Sequence, residues 1–394
     1  MTQILTAEDS HSPLPRSDVR DIHFPELDGI RGIAILLVLL SHVGGTLRSP
    51  IYNVFNTISG QGWIGVDLFF VLSGFLITRI LLTTNNSTNY YKRFYIRRGL
   101  RIWPLYYLAV LLAFTALAVA SHLSFYHSLT AAKSQFAGDP VADWHNLPMY
   151  LLYLQNFWLG DVGGFSVLAV TWTLCIEEQY YLVWPLCVRN FSIHALLRFA
   201  VGFALISSLL RLSIHFIYPD NFDLFHWITY HFTPLHLDAI LLGSALAICF
   251  YLKRQFLENM ALLYTALGVG GAVSLICVCY MGNPYAESLI YFALSVTFAA
   301  IVALALQGWG RRLFRNPPLR YIGKISYSLY LLHPPIFNAL SSHSVMAKLG
   351  FSHNIAATEF AFATLSFALS IGVAAFSWHF FESRILALKT RFAA

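Results

Sequence analysis

The chain has 394 residues, of which 57% are apolar and only 11% are Asp, Glu, Lys or Arg. Soluble domains carry roughly 25% charged residues, so this composition excludes a water-soluble globular enzyme, and its apolar content excludes a disordered chain. The net charge of +6 fits basic residues gathered in the cytoplasmic loops of a membrane protein, and no nucleic-acid-binding motif accompanies it. We predict an all-α, polytopic membrane protein.

Ten apolar runs are long enough to form transmembrane helices. If both termini are cytoplasmic, the inner segments hold 19 Lys and Arg residues and the outer loops hold three, and this asymmetry sets the orientation. We therefore predict a cytoplasmic segment 1–29, a membrane domain 30–380 and a cytoplasmic tail 381–394. The predicted spans are 30–46, 61–82, 100–121, 171–189, 194–217, 230–252, 260–281, 286–308, 319–341 and 356–380.

The first run carries two polar residues on one face. Arg31 and His42 are eleven positions apart, which is three helical turns plus about 20° at 100° per residue. Their separation along the helix axis is about 16 Å. The pattern predicts Arg31 at the cytoplasmic end and His42 past the middle of the membrane.

The next two runs add an acid and a group of arginines. Asp67 near the outer end of the second run is interpreted either as a brace for that helix or as a functional group. Arg98 and Arg101, three positions apart at the inner end of the third run, are interpreted either as a topology signal or as a phosphate clamp.

The later runs carry further ionisable residues, each of which costs about 3 kcal/mol at a helix centre and is therefore a functional candidate. Because several helices deliver them to a similar depth, we expect one shared polar cavity that opens outward. Glu177 and Glu178 are interpreted either as ion-pair partners of Arg211 or as direct participants. The other candidates are His236, Asp238 and His333.

These motifs resemble the acyltransferase 3 family of integral membrane acyltransferases over nearly the whole chain. The matching strings are LDGIRGIA from Leu27, GVDLFFVLSGFLI from Gly65, RGLRIWP from Arg98, TWTLCIEEQYYL from Thr171 and GKISYSLYLLH from Gly323. Thr173 stands where Ser is common, and His236 where Arg is often found. The resemblance is to the form without an SGNH-type hydrolase domain, so we expect transfer directly to the final acceptor.

The resemblance implies a bacterial inner membrane as the location, acetyl-CoA, or another short acyl-CoA, as the donor, and no metal. Arg31, Arg98 and Arg101 would bind its phosphates, and His42 would act as general base on an acceptor hydroxyl. Glu177 or Glu178 would orient the His42 imidazole. The remaining residues would support the substrates or the oxyanion: Asp67, Arg211, Asp238, Ser326, Tyr327 and His333.

The acceptor stays open among cell-surface glycans, lipid-linked oligosaccharides and related compounds. An acyl-enzyme intermediate on His42 or Cys175 is an alternative to direct transfer. The competing function is a proton-coupled transporter or a flippase of a lipid-linked sugar, because His and Glu within spans also build proton relays.

Overall fold

The computed structural model describes residues 23–44, 50–121, 144–157, 167–217, 222–252, 258–340 and 355–389. Within these ranges every regular element is helical, which confirms the predicted all-α membrane fold. The helices that build it are α1 (Pro25–Gly44), α2 (Ile64–Thr84), α3 (Tyr90–Ser121), α4 (Trp172–Asn190), α5 (Ile193–Ile217), α6 (Phe222–His231), α7 (Asp238–Tyr251), α8 (Met260–Cys279), α9 (Pro284–Leu306), α10 (Pro317–Lys324), α11 (Ser326–Leu340) and α12 (Ile355–Ser377).

Each of the ten predicted runs contains at least one of these helices. The predicted count of ten membrane spans is not confirmed. The ninth run is two helices, since α10 ends at Lys324 and α11 begins at Ser326. In the sixth run the helix starts only at Asp238, after a turn that contains Pro234. The described helices long and apolar enough to cross a membrane number six: Asn53–Thr84, Tyr90–Val119, Ile193–Ile217, Met260–Cys279, Tyr285–Leu306 and Ala356–Ala387.

Parts of several predicted segments lie outside the described residues. They are 1–22 of the predicted N-terminal segment, 45–46 at the end of the first predicted span, 122–143 and 158–166 between the third and fourth spans, 341 at the end of the ninth span, and 390–394 of the predicted tail.

Helices α2 and α7 form the closest pair in the interior. Gly74 of α2 faces the carbonyl of Ile240, and Gly243 of α7 faces the carbonyl of Val71, so closely that a Cβ at either glycine would overlap the opposite backbone. Small residues permit this approach, which is a common way for helices to associate in membranes. The pair therefore forms a rigid centre for the bundle.

Helix α1 is fixed by the same kind of contact on two sides. Gly65 of α2 faces the carbonyl of Ala34, and Gly32 faces the carbonyl of Leu319 in α10. A rotation of α1 would drive backbone into backbone on one side or the other. The side chains at the two ends of α1 therefore point in directions set by backbone packing.

Candidate functional site

A cavity in the described part of the chain has a volume of about 740 Å³ and is walled mainly by α1, α2, α3, α4, α10 and α11. We call it the arginine cavity. Its basic lining side chains are His23, Arg31, Arg79, Arg98, Arg101, Arg320 and Lys324.

The structure brings the three predicted arginines together in this cavity. Arg31 of α1 lies close enough to Arg98 and Arg101 of α3 to interact with them electrostatically. Arg31 Nη1 also lies 3.8 Å from Asp28 Oδ1. The Arg98 guanidinium stands 5.6 Å from the centroid of the Tyr181 ring. Three guanidinium groups on two rigid helices form a surface suited to phosphate, which arginine binds in a bidentate manner.

Glu177 and Glu178 of α4 lie on this side of the bundle. Glu177 lines the arginine cavity, and its Oε1 accepts a hydrogen bond from Ser73 Oγ at 2.5 Å. Glu178 Oε2 accepts one from the indole N–H of Trp103 at 3.1 Å. Both carboxylates interact electrostatically with Arg98. They are therefore neighbours of the arginine group.

The smaller cavity has a volume of about 330 Å³ and is lined by His42; we call it the histidine cavity. His42 Nδ1 lies 2.8 Å from the carbonyl oxygen of Val38. A carbonyl can only accept, so Nδ1 carries the proton and Nε2 keeps its lone pair. A backbone carbonyl of its own helix thus orients this imidazole, which corrects the expected contact with Glu177 or Glu178.

His333 of α11 lies against His42. The two ring centroids are 4.6 Å apart and the ring planes meet at 82°. His333 is fully buried, and its Nδ1 donates to the carbonyl of Tyr330 at 2.8 Å. That carbonyl is available because Pro334 has no N–H to offer it within the helix. The Nε2 atom of His333 is buried and has no hydrogen-bond partner among the described residues.

The two cavities share part of their walls. Val66 of α2 and Tyr330 of α11 line both of them. The Tyr330 hydroxyl donates to the carbonyl of Val170 at 3.0 Å and accepts from Thr173 Oγ1 at 2.9 Å. Thr173 stands where Ser is common, and it still supplies a hydroxyl that hydrogen-bonds to Tyr330. Sequence reasoning missed Tyr330, although it stands three positions before His333, on the same helical face.

Ser326 and Tyr327 lie in the arginine cavity and not beside His42. The Tyr327 hydroxyl donates to the carbonyl of Ile102 at 2.6 Å and so joins α11 to α3. Both residues precede His333 by about two helical turns, so they lie at the start of α11, whereas His333 lies at its middle. The expected role in binding the acceptor or the oxyanion therefore does not fit their position.

A third group of ionisable residues forms a buried network apart from both cavities. His236 Nε2 lies 3.0 Å from Asp67 Oδ1, and Arg211 Nη2 lies 2.5 Å from Asp238 Oδ2. All four side chains are fully buried. Arg211 also donates to the carbonyls of Leu235 and Ser288. Arg211 therefore pairs with Asp238 and not with the α4 glutamates, and the single shared cavity is corrected to two cavities and one ion network.

The histidine cavity has an aromatic and amide wall. Its large rings are Trp63, Trp172, Trp227, Tyr150, Tyr230 and Tyr330, and its amides are Asn146, Gln155 and Asn156. Rings that offer an apolar face beside amide groups that donate and accept hydrogen bonds match the alternating apolar and hydroxyl surfaces of a sugar. Sequence reasoning identified none of these residues, because they come from separate segments of the chain.

Cys175 does not reach either cavity. It is fully buried, and its Sγ lies 3.4 Å from the carbonyl of Thr171 on its own helix. A thiol held in an apolar interior lacks the cationic surroundings that form a reactive thiolate. The geometry therefore disfavours an acyl-cysteine intermediate.

Comparison with known proteins relates this architecture to a family. Residues 24–379 match a family model described as an acyltransferase domain. The chain is 28% identical to a peptidoglycan O-acetyltransferase, OatA, of Listeria monocytogenes over 330 residues, which is 80% of this chain and 49% of that protein. It is 29% identical to an O-acetyltransferase, OatA, of Staphylococcus aureus over 351 residues, which is 83% of this chain and 53% of that protein.

The chain thus spans about half the length of these relatives. No solved structure matches it. Because the match runs from the start of α1 to beyond the end of α12, it covers the histidine cavity, the ion network and the lining of the arginine cavity except His23, Glu382 and Leu386. The chain belongs to the acyltransferase 3 family.

Proposed function

We propose that this protein is a membrane O-acyltransferase that moves an acyl group, most simply acetyl, from acyl-CoA in the arginine cavity to a hydroxyl of a glycan in the histidine cavity. The observation that carries the proposal is the wall shared by the two cavities, formed by Val66 and Tyr330. At this wall a thioester from one cavity meets a hydroxyl from the other. The O-acetyltransferase names of both relatives support the same reaction.

The donor enters the arginine cavity from the cytoplasm of a bacterial cell. Arg31, Arg98 and Arg101 contact its diphosphate, and the Glu177 carboxylate offsets part of the repulsion among the guanidinium groups. The asymmetric distribution of Lys and Arg along the sequence supports the cytoplasmic opening. The pantetheine arm follows α1 towards His42, a path of about 16 Å.

The acceptor is an extracytoplasmic or lipid-linked glycan that enters the histidine cavity. Trp63, Trp172 and Trp227 stack against its sugar rings, and the amides of Gln155 and Asn156 contact its hydroxyls. Peptidoglycan, which the name of the Listeria relative specifies, is one such glycan.

His42 is the general base of the reaction. Its Nε2 lone pair takes the proton of the acceptor hydroxyl while the hydroxyl oxygen bonds to the thioester carbonyl carbon. When the tetrahedral intermediate collapses, the carbon–sulfur bond breaks and the imidazolium returns the proton to the CoA thiolate. The products are an ester on the glycan and free CoA.

His333 supports the His42 ring. It does not line the histidine cavity, and its Nδ1 proton is committed to the Tyr330 carbonyl, so its Nε2 has no proton to donate. It therefore cannot stabilise an oxyanion, and its edge-to-face contact holds the His42 imidazole in place. This role replaces the oxyanion contact that we expected for His333.

The proposal is tested with membranes that contain the full chain and acetyl-CoA radiolabelled on the acetyl group. Label is expected in the glycan or lipid-linked sugar fraction of wild-type membranes and not in that of His42→Gln membranes. Glycan labelling by His42→Gln at the wild-type rate would overturn the role of His42. Movement of acceptor across the membrane without any acyl-CoA dependence would indicate a transporter.

A further inference from the structure

The arginine cavity contains a second basic group besides the three arginines predicted from the sequence. Arg320 and Lys324 of α10 both line it. They are four positions apart and so lie on one face of the helix. A backbone contact between α10 and α1 holds this face in place. Gly323 lies so close to the carbonyl of Asp28 that a Cβ at position 323 would overlap it.

This second group lies nearer the surface than the first. Lys324 is exposed, whereas the side chain of Arg31 is only 17% exposed. Arg320 is half-buried and lies one helical turn from Lys324 on the same face. The Lys324 ammonium stands 5.1 Å from the centroid of the Trp378 ring. Lys324 therefore lies at the mouth of the cavity with Arg320 beside it, and Arg31 lies deeper.

Arg320 and Lys324 are not neutralised within the described residues. Arg315, on the same segment, has its Nε 2.6 Å from Glu26 Oε1. Neither Arg320 nor Lys324 has an ion-pair partner of this kind among the described side chains, and the Nε of Arg320 is buried without a hydrogen bond. Uncompensated positive charge that faces a cavity indicates an anionic ligand.

The chemistry of coenzyme A matches two basic groups at two depths. Its diphosphate adjoins the pantetheine arm, and its 3′-phosphate lies on the ribose at the far end of the molecule. When the thioester reaches the wall at Val66 and Tyr330, the diphosphate lies deeper than the 3′-phosphate. The deep arginines therefore face the first anionic group, and the residues at the mouth face the second.

We propose that Arg320 and Lys324 bind the 3′-phosphate of the donor and so make the protein select CoA thioesters over their 3′-dephospho analogues. This inference rests on the proposed function, because it assumes that the arginine cavity holds the acyl donor. A phosphate of an anionic lipid headgroup has the same binding chemistry, so the test includes a lipid arm.

The test measures the affinities of CoA and 3′-dephospho-CoA for the full chain in nanodiscs of phosphatidylcholine. Wild type is expected to bind CoA about tenfold more tightly, the usual effect of losing charge-assisted hydrogen bonds. The double variant Arg320→Gln/Lys324→Gln is expected to bind both nucleotides with the weaker affinity. Arg98→Gln/Arg101→Gln is expected to weaken both about equally and to keep the tenfold ratio.

Arg311→Gln/Arg312→Gln is the matched control. It removes the same charge from the same stretch of chain, at two exposed positions that do not line the cavity. It is expected to keep both affinities and their ratio.

Equal affinities in wild type, or an unchanged ratio in Arg320→Gln/Lys324→Gln, would overturn the inference. An unchanged ratio together with loss of binding to phosphatidylglycerol added to the nanodiscs would assign the two residues to a lipid headgroup instead. If neither nucleotide binds wild type at all, the proposed donor itself fails, which is a separate result.

Discussion

The imidazoles of His42 and His333 meet edge to face with their centroids 4.6 Å apart, although they lie on α1 and α11, nearly 300 residues from each other in the chain. Each ring donates its Nδ1 proton to a carbonyl of its own helix, Val38 for one and Tyr330 for the other. Both rings therefore keep an Nε2 lone pair. Of the two rings, that of His42 lines the histidine cavity, so its Nε2 is the atom that can accept the proton of a hydroxyl bound there, while His333 supports the ring.

Replacement of His42 by Gln is expected to lower acyl transfer by about 10²- to 10⁴-fold, since this is the usual contribution of a general base. Donor binding should persist, because the arginine cavity does not include His42. The two quantities are measured as transfer from radiolabelled acetyl-CoA and as CoA affinity in nanodiscs. Loss of both together would assign His42 to the structure of the fold.

Pro334→Ala is expected to lower the turnover rate by about fivefold. The new backbone N–H competes with His333 Nδ1 for the Tyr330 carbonyl, and one hydrogen bond contributes about 1 kcal/mol. Pro335→Ala is the matched control, because the carbonyl that it would engage, that of Leu331, does not contact His333. Equal turnover in the two variants would contradict this account of how the tautomer is fixed.

Asp238→Asn is expected to destabilise the protein by about 3–5 kcal/mol, because it leaves the fully buried Arg211 without its carboxylate. Asp67→Asn should cost less, because the asparagine side-chain oxygen can still contact Nε2 of the buried His236. Thermal unfolding in detergent should show a lower midpoint, while transfer per folded molecule should stay near the wild-type rate. A wild-type midpoint with lost transfer would instead make the network part of the reaction.

Lys389 predicts a pH dependence of donor binding. It lies beyond the last helix that can span the membrane, where burial, followed by Arg101, Arg98 and Arg97, lowers its pKa from 10.5 to about 8. Its charge, and with it part of the attraction for phosphate, is present below this pH and lost as the pH rises through it. A bound phosphate favours the charged form, so CoA binding slightly above pH 8 should take up a proton.

The proton uptake is measured by calorimetry in two buffers with different ionisation enthalpies. Lys389→Arg should bind CoA without the uptake, because an arginine remains charged throughout this range. Uptake of the same size in Lys389→Arg would show that another group titrates.

The sequence predicted the spatial relationships between site residues that lie on the same helix. The eleven-residue spacing places Arg31 and His42 on one face of α1, and in the structure they line the arginine and the histidine cavity respectively. The three-residue spacing of Arg98 and Arg101 likewise predicted that both lie on one face of α3. Helical periodicity fixes such relationships regardless of how the bundle is assembled.

Contacts between helices could not be predicted in the same way. Asp67 and His236 are 169 positions apart, and nothing local to either indicates the other. The α4 glutamates were expected beside His42 because their depth in the membrane was estimated from a run boundary, an estimate that is uncertain by a helical turn. The group that hydrogen-bonds to His42 is a backbone carbonyl and not a carboxylate. Every residue has such a carbonyl, so the sequence pattern does not indicate which one is used.

The wall of Val66 and Tyr330 separates two chambers that face opposite ways in the proposed reaction. In that reaction only the acyl group has to cross the wall, and the nucleotide stays on the side from which it entered. Acylation of an outer glycan therefore needs no passage wide enough for coenzyme A itself.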